Sequence, residues 1–159
     1  AGGKAMEKII LLQEETTRGL RMEYFASGEL NGASKSQTVE DLDFDWGRET
    51  PAEGIPENGW SCRASGFLCV EAEIVAELLV QCDDAIRVRI DAMPVIDQWA
   101  EAPEPLYRRV PILLTRGYHS FVVEYADRTG IATLRLWLAP GRDEFEPLGP
   151  MLRRMPERK

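Results

Sequence analysis

Acidic side chains are the most prominent candidates for chemistry in this sequence. Asp41, Asp43 and Asp45 alternate along the chain, a spacing that suggests a calcium-binding loop of the EF-hand type. Such a loop needs glycine at its sixth position and glutamate at its twelfth, where this chain has Trp46 and Ala52. On a β-strand, by contrast, the three aspartates would share one face. We therefore interpret them as the solvated face of a strand.

The sequence offers little for nucleophilic or acid–base catalysis. His119 is the only histidine, so any catalytic triad would have to use it, and no Gly-x-Ser-x-Gly motif accompanies it. No glycine-rich turn links a strand to a helix, as phosphate and dinucleotide sites require. Nothing positive indicates a pair of catalytic carboxylates. We therefore predict that the protein is not an enzyme.

The cysteines leave the redox compartment open. Cys62, Cys69 and Cys82 cannot all pair with one another, and none has the Cys-x-x-Cys spacing of a metal site. Small buried thiols on strands are one interpretation. One disulfide with one free thiol is the other.

Charge and hydropathy exclude two classes of partner. The 159 residues carry 19 basic and 27 acidic side chains, a net charge of −8, and 44% are hydrophobic, which suffices for the core of one domain. An acidic body lacks the basic face that duplex DNA requires, so we predict no nucleic-acid partner. The longest aliphatic run, Ile9–Leu12, is far shorter than the roughly 20 residues of a membrane-spanning helix. We therefore predict no direct membrane span in this chain.

The elements that would position these residues have a period of two. Aliphatic side chains alternate with polar or aromatic ones over residues 86–91 and 133–138. The stretch Tyr118–Tyr125 is rich in the aromatic and β-branched residues that strands favour. Turn sequences such as Asn31-Gly32 and Arg116-Gly117 separate the candidate strands. This pattern predicts an all-β fold, an antiparallel β-sandwich or barrel.

The two ends of the chain differ from this body. Within residues 1–18, the stretch Ala5–Glu15 is rich in helix formers and lacks Gly and Pro, which predicts a short helical or extended docking leader. Residues 141–159 hold three of the ten prolines and predict an irregular C-terminal arm. We therefore divide the chain into a leader (1–18), a β-sandwich domain (19–140) and an arm (141–159).

Five segments of this body are similar, in order and spacing, to a known family. They resemble the PA-fourteen domain, the β-barrel module first defined in bacterial protective antigen toxins. The resemblance covers about residues 19–140 and implies a jelly-roll-like β-sandwich that is usually extracytoplasmic, often binds glycans and is not itself an enzyme. The segments are Gly19–Phe25, Asp43–Gly47, Trp60–Leu68, Asp83–Trp99 and Gly117–Trp137.

The resemblance also implies a ligand site. In the yeast adhesin branch, two consecutive aspartates joined by a cis peptide bond help to coordinate a calcium ion that bridges sugar hydroxyls. By position, Asp83 and Asp84 match that pair. Because calcium takes about six to eight oxygen ligands, we expect Asp127 and nearby backbone carbonyls to complete the shell. The alternative is that Asp83 and Asp84 cap a turn by accepting hydrogen bonds from backbone N–H groups.

Tryptophans are the side chains on which a bound sugar could stack. Trp99 is the best candidate because it ends a predicted strand beside the polar loop 100–105, with Asp97 close to it in the sequence. Burial in the core is the usual state of a tryptophan and is the expectation for the others, Trp46, Trp60 and Trp137.

Departures from the family pattern keep two functions open. Ala85 follows the aspartate pair where the family commonly has glycine, residues 63–66 lack an aromatic, and Ala92 replaces the usual hairpin glycine. The first function is a calcium-assisted glycan-binding module. The second is a structural or protein-interaction subunit that joins a larger assembly through residues 1–18 and 141–159. In both cases we expect an extracytoplasmic location, periplasmic or extracellular, with any membrane association made through a partner or a lost N-terminal segment.

Overall fold

Two antiparallel β-sheets make up the computed structural model, which describes residues 16–99 and 105–155. Within these ranges the helical structure is limited to one 3₁₀ turn, Gly149–Met151. None of the described segments therefore forms a helix long and apolar enough to cross a membrane. Most of the predicted leader, residues 1–15, lies outside the described residues.

The described strands follow one another through short turns and a few longer loops. In chain order they are β1 (Thr17–Arg18), β2 (Leu20–Phe25), β3 (Ser34–Val39), β4 (Asp43–Gly47), β5 (Trp60–Val70), β6 (Ile74–Asp83), β7 (Ala85–Ile90), β8 (Met93–Gln98), β9 (Leu106–Leu114), β10 (Gly117–Asp127), β11 (Ala132–Gly141), β12 (Glu144–Pro147) and β13 (Leu152–Arg154).

The first sheet has the order β1-β13-β5-β10-β7-β8, with β2 paired to β5 and β3 paired to β2. The second sheet has the order β12-β11-β6-β9, with β4 paired to β11. Side chains alternate between the core and the surface along each long strand, as the period of two requires. The prediction of an all-β antiparallel sandwich is therefore confirmed.

Aromatic side chains fill one end of the core between the sheets. Trp60, Tyr24 and Tyr125 are fully buried, and the Trp60 ring lies 6.2 Å from Tyr24 and 5.5 Å from Tyr125, centroid to centroid. Trp46 is half-buried, packs edge-on against Trp60 at 4.9 Å and stacks on Phe44. These contacts fix the end of the sandwich at which β5 begins and β10 ends.

Residues 141–155 differ from the irregular arm that the sequence predicts. β12 pairs with β11, and β13 pairs with both β5 and β1. Leu148 and Leu152 are fully buried, so the segment contributes to the core. The prolines that suggested irregularity are compatible with this arrangement, because Pro147 ends a strand and Pro150 begins the 3₁₀ turn, where a missing N–H costs little.

β5 changes its pairing partner at Gly66. Residues 61–65 pair with β2, whereas Phe67 and Leu68 pair with β13. A Cβ atom at Gly66 would overlap the carbonyl oxygen of Arg153 and lie 2.7 Å from Cδ2 of Leu20. Glycine is therefore required where the two partner strands meet.

A row of alternating charges crosses the outer face of the first sheet. Cross-strand pairing places it in the order Glu23 (β2), Arg63 (β5), Glu124 (β10), Arg87 (β7) and Asp97 (β8). Glu124 is only 5% exposed, and its carboxylate lies 3.0 Å from Arg63 Nη2 and 3.1 Å from Arg87 Nε. The pairing of these charges stabilises one strand order and one register across the sheet.

The three thiols are unpaired. Cys62 and Cys82 are buried, and Cys69 is half-buried. Burial raises the pKa of Cys62 above its usual value and that of Cys82 to about 12. Buried, unreactive thiols are therefore the better interpretation for Cys62 and Cys82.

Candidate metal and ligand site

The Asp83–Asp84 pair lies where the chain passes from the second sheet to the first. β6 ends at Asp83 and β7 begins at Ala85, so the crossing takes a single residue. The peptide bond between the two aspartates is cis. The chain returns to the second sheet after Asp127, through the loop 128–131. The two crossings lie at the same end of the sandwich, because Asp83 pairs with Thr133 at the start of β11.

Asp84 joins the two crossings by hydrogen bonds. Its Oδ2 atom accepts the backbone N–H of Arg128 at 2.7 Å and that of Thr129 at 3.3 Å. Burial alone would raise the pKa of Asp84, but hydrogen bonds with Asp83 and with these N–H groups hold it below the usual value. Asp84 thus caps the loop, as one of the two predicted alternatives requires. Both N–H bonds use the same oxygen, so capping does not exhaust the carboxylate.

Asp127 is a buried carboxylate crowded by other carboxylates. It is fully buried at the end of β10, where it pairs in register with Trp60 and lies beside Asp84 and Asp83. Burial, followed by the proximity of Asp84 and Asp83, raises the pKa of Asp127 to about 7. Burial and Asp84 likewise raise the pKa of Asp83 to about 6. Crowded carboxylates of this kind are relieved by a proton or by a bound cation.

The site is not a complete metal centre made of side chains alone. Among residues 16–99 and 105–155, no three His, Cys, Asp or Glu side chains are arranged as a ready-made metal site. A cation here would take part of its coordination shell from backbone carbonyls and water, as calcium commonly does. One carbonyl is already engaged, because the buried Tyr125 hydroxyl donates a hydrogen bond to the carbonyl oxygen of Asp83.

The two predicted sugar-contacting residues, Trp99 and Asp97, both lie beside Arg87. Trp99 adjoins the second crossing, because the guanidinium of Arg128 donates a hydrogen bond to its carbonyl oxygen. One face of its ring is covered by the guanidinium of Arg87, which lies 4.2 Å from the ring centroid. Asp97 is exposed on the outer face of the first sheet, opposite Arg87. The structure therefore places Trp99 next to the loop that Asp84 caps, and Asp97 beside the arginine that covers the Trp99 ring.

Sequence reasoning missed a group of exposed aromatic residues on the second sheet. Trp137 was expected to be buried, but it is half-buried on the outer face, beside Tyr107 and Phe145. The alternation of residues 133–138 indicates the outward position of Trp137, because Trp137 shares its phase with Thr133 and Arg135. The pairing of β11 with β12 and of β6 with β9, which brings the other aromatics to it, was not predictable from local pattern.

His119 clamps two turns at the other end of the sandwich. Its Nε2 donates to the carbonyl oxygen of Thr115 at 2.6 Å, and its Nδ1 donates to Oδ2 of Asp91 at 2.6 Å. Both partners are acceptors, so the two hydrogen bonds form together only when the ring is protonated and positively charged. Although burial alone lowers the pKa of His119, the hydrogen bonds to Thr115 and Asp91 raise it above the usual value. The geometry explains this histidine as a structural clamp.

His119→Gln is expected to lose stability mainly at low pH. Below about pH 6.5 the wild type should be more stable by about 1.5 kcal/mol, because glutamine cannot make both charge-assisted bonds. A raised folded-state pKa means that this advantage is lost as the pH rises through that value. Urea unfolding of both proteins between about pH 5.5 and pH 9 measures it. Asp83 and Asp127 also titrate in this range, but they do so in both proteins, so they cancel in the difference between the two unfolding free energies. A difference that does not change with pH would contradict the proposed role of His119.

Comparison with known proteins identifies the family. The sequence model of the PA14 domain matches residues 17–146. The chain is 29% identical over 84 residues to the anti-sigma-I factor RsgI3 of Acetivibrio thermocellus, a match that covers 53% of this chain and 13% of that protein. This chain therefore spans only a small part of the curated relative.

Solved structures share the fold. An anti-sigma factor domain-containing protein from Clostridium clariflavum has a TM-score of 0.78 at 22% identity, over 90% of this chain and 49% of that chain. The A domain of epithelial adhesin 9 from Candida glabrata, solved with Galβ1-4GlcNAc, has a TM-score of 0.69 at 12% identity, over 89% and 91% of the two chains. The resemblance seen in the sequence is confirmed, and the chain belongs to the PA14 domain family.

Proposed function

We propose that this domain is a non-catalytic binding module that recognises glycans with the help of a calcium ion held beside Asp83 and Asp84. One observation carries the proposal: the Asp127 carboxylate is fully buried and crowded by the carboxylates of Asp84 and Asp83. A buried carboxylate in that state is costly unless a cation or a proton compensates it. Calcium is the cation whose oxygen-rich, flexible coordination suits carboxylates and backbone carbonyls together.

The three aspartates would have different parts in such a site. Asp84 lies between the other two carboxylates and interacts with both, so it would be the central ligand. Asp127 faces the core and would bind the ion from the inside of the sandwich. Asp83 is in phase with the outward-facing Gln81, so it would bind from the outer side. When bound, calcium supplies coordination positions for sugar hydroxyls, and the galactoside in the similar Candida glabrata domain supports glycans as the ligand class.

The described chain ends lie far from the aspartates along β5. β13 pairs with β5 at Leu68, whereas Asp127 pairs with β5 at Trp60. Eight residues of an extended strand separate these points by about 26 Å. The described chain ends therefore lie at the opposite end of β5 from the aspartates. A segment attached at these ends would leave the site accessible to a ligand. Periplasmic or extracellular display is part of this proposal.

Calcium binding is the first test. Addition of calcium to the chelator-treated domain, at about ten times its Kd, is expected to raise the unfolding free energy by about 1.4 kcal/mol, or the melting temperature by about 4 °C. Asp84→Asn should abolish both the shift and the heat of binding in calorimetry. Asp143→Asn, which removes the same charge from an exposed turn, should leave them unchanged. Absence of a calcium-dependent shift in the wild type would overturn the metal site.

A protein-interaction subunit is the second candidate function, and the anti-sigma-I factor relative favours it. This function needs no calcium. Copurification with the full chain and with a chain lacking residues 1–18 would separate the two functions. A partner that is lost with residues 1–18, and that is retained in chelator, would favour the second.

A further inference from the structure

The outer face of the second sheet carries a shallow pocket with aromatic walls. Its volume is about 260 Å³, and we call the side chains that line it the platform. Tyr107 is 62% exposed and Phe145 is 48% exposed, while Trp137 is half-buried between them. Large exposed side chains of this kind in one place commonly mark a binding surface. The platform consists of Leu79, Gln81, Tyr107, Arg135, Trp137 and Phe145.

The platform is held by the pairing of neighbouring strands. Trp137 of β11 pairs with Leu79 of β6, and one row further along Arg135 pairs with Gln81, which in turn pairs with Tyr107 of β9. Two adjacent rows of the sheet therefore place an aromatic ring beside a hydrogen-bonding side chain. A site on paired strands is fixed in position before any ligand arrives.

The charges around the platform are already paired. Arg135 Nε lies 3.2 Å from Oδ1 of Asp43, and Arg109 Nη2 lies 3.1 Å from Oε1 of Glu77. The guanidinium of Arg109 also lies over the Phe145 ring, 5.6 Å from its centroid. These arginines supply hydrogen-bond donors without an excess of positive charge. The ligand that fits is therefore neutral, with an apolar face for the rings and hydroxyls for the donors.

The same ion pairs weigh against a protein occupant or a second copy of the chain. The centres of protein interfaces are depleted of charged residues, whereas two ion pairs flank the middle of this face. Pyranose rings present both an apolar face and equatorial hydroxyls, which matches aromatic side chains interleaved with an amide and a guanidinium.

The outward side of β6 connects the platform with Asp83 of the aspartate pair. Leu79, Gln81 and Asp83 alternate on the outward side of β6 and span about 13 Å of extended strand. A ligand that runs along this strand from the pocket would reach the acidic end of the sandwich. An extended chain of sugars fits this geometry better than a single monosaccharide does.

We propose that the platform binds an extended neutral polysaccharide, with sugar rings stacked on Trp137 and Tyr107 and hydroxyls bonded by Gln81 and Arg135. The proposal rests on the proposed function for the class of ligand, and it does not require calcium. The stacking surface lies on the face of the second sheet, whereas the metal would lie at the end of the sandwich.

Affinity gel electrophoresis with xylan, galactomannan, mixed-linkage β-glucan and pectic galactan tests the platform. The wild type is expected to be retarded by at least one of these, in chelator as well as in calcium. Trp137→Ala should weaken that retardation at least about tenfold, the effect of losing about 1.4 kcal/mol of stacking. Met93→Ala removes an exposed apolar side chain from the start of β8, in the other sheet, and should behave as the wild type.

The outcomes separate this inference from the calcium site. Retardation that Trp137→Ala abolishes and chelator does not would support the platform, even if Asp84→Asn has no effect. Retardation that only chelator or Asp84→Asn abolishes would overturn the platform and leave the calcium site standing. Lack of retardation on all four polysaccharides would overturn it too, as would self-association in light scattering that Trp137→Ala removes. Near-identical circular dichroism of the variants verifies that each one folds.

Discussion

Gly66→Ala is expected to destabilise the domain by about 3 kcal/mol or more. The added methyl group would overlap the carbonyl oxygen of Arg153, and that oxygen belongs to a strand paired with β5 itself. Relief of the overlap would require β13 to move away from β5, which would expose the fully buried Leu152. Urea unfolding monitored by tryptophan fluorescence measures the loss as a lower midpoint at an unchanged slope.

Gly28→Ala is the matched control for this substitution. A Cβ atom at Gly28 meets nothing within 4 Å, and its backbone does not have the positive φ that disfavours other residues. The control should therefore be neutral, or slightly stabilising because alanine restricts the unfolded chain. Equal stabilities of the two variants would show that β13 is only loosely held against β5, contrary to its buried position.

Glu124→Gln is expected to cost about 3 kcal/mol, an isosteric change that removes only the charge. The Glu124 carboxylate lies between Arg63, Arg87 and the more distant Arg89, at 3.7 Å. Without it three guanidinium groups would repel one another across adjacent strands. Their partial exposure to solvent places the cost at the lower end of the range for broken buried pairs. Thermal and urea unfolding at low salt measure it.

Glu77→Gln provides the comparison for the charge effect. Glu77 also pairs with one arginine, Arg109, at 3.1 Å, but its side chain is 40% exposed. Exposed pairs contribute only about 0.2–1 kcal/mol, so this variant should stay within that range. High salt should reduce the small effect at Glu77 more than the large one at Glu124. If both substitutions cost the same, the row of charges would have no special role in fixing strand order.

Local patterns in the sequence were sufficient to predict the fold class. The alternation at 86–91 and 133–138 predicted β7 and β11, because a half-buried strand must alternate. The same local reasoning failed at the C-terminal segment, where prolines suggested irregular chain. Whether a short segment such as Leu152–Arg154 pairs depends on an open edge of β5 that lies more than 80 residues earlier in the sequence.

The candidate site was predictable only in part. The resemblance pointed to Asp83 and Asp84, and the guess that Asp127 lies near them agrees with its position at the second crossing between sheets. Asp97 and Trp99 both lie beside Arg87, and their contact with a sugar stays a prediction. The platform depends on three strand pairings, and no single segment contains enough of it to be recognised.

The pairing of β1 with β13 has a mechanical consequence. Thr17 lies opposite Arg154 in an antiparallel pair, so the chain enters and leaves side by side. Tension applied between these two points would open the pair one hydrogen bond at a time, at low force. Tension applied between either point and a ligand held at Asp84 would instead run along the strands and load many hydrogen bonds together. The domain would therefore resist a pull between Asp84 and the β1–β13 pair more strongly than a pull that separates β1 from β13.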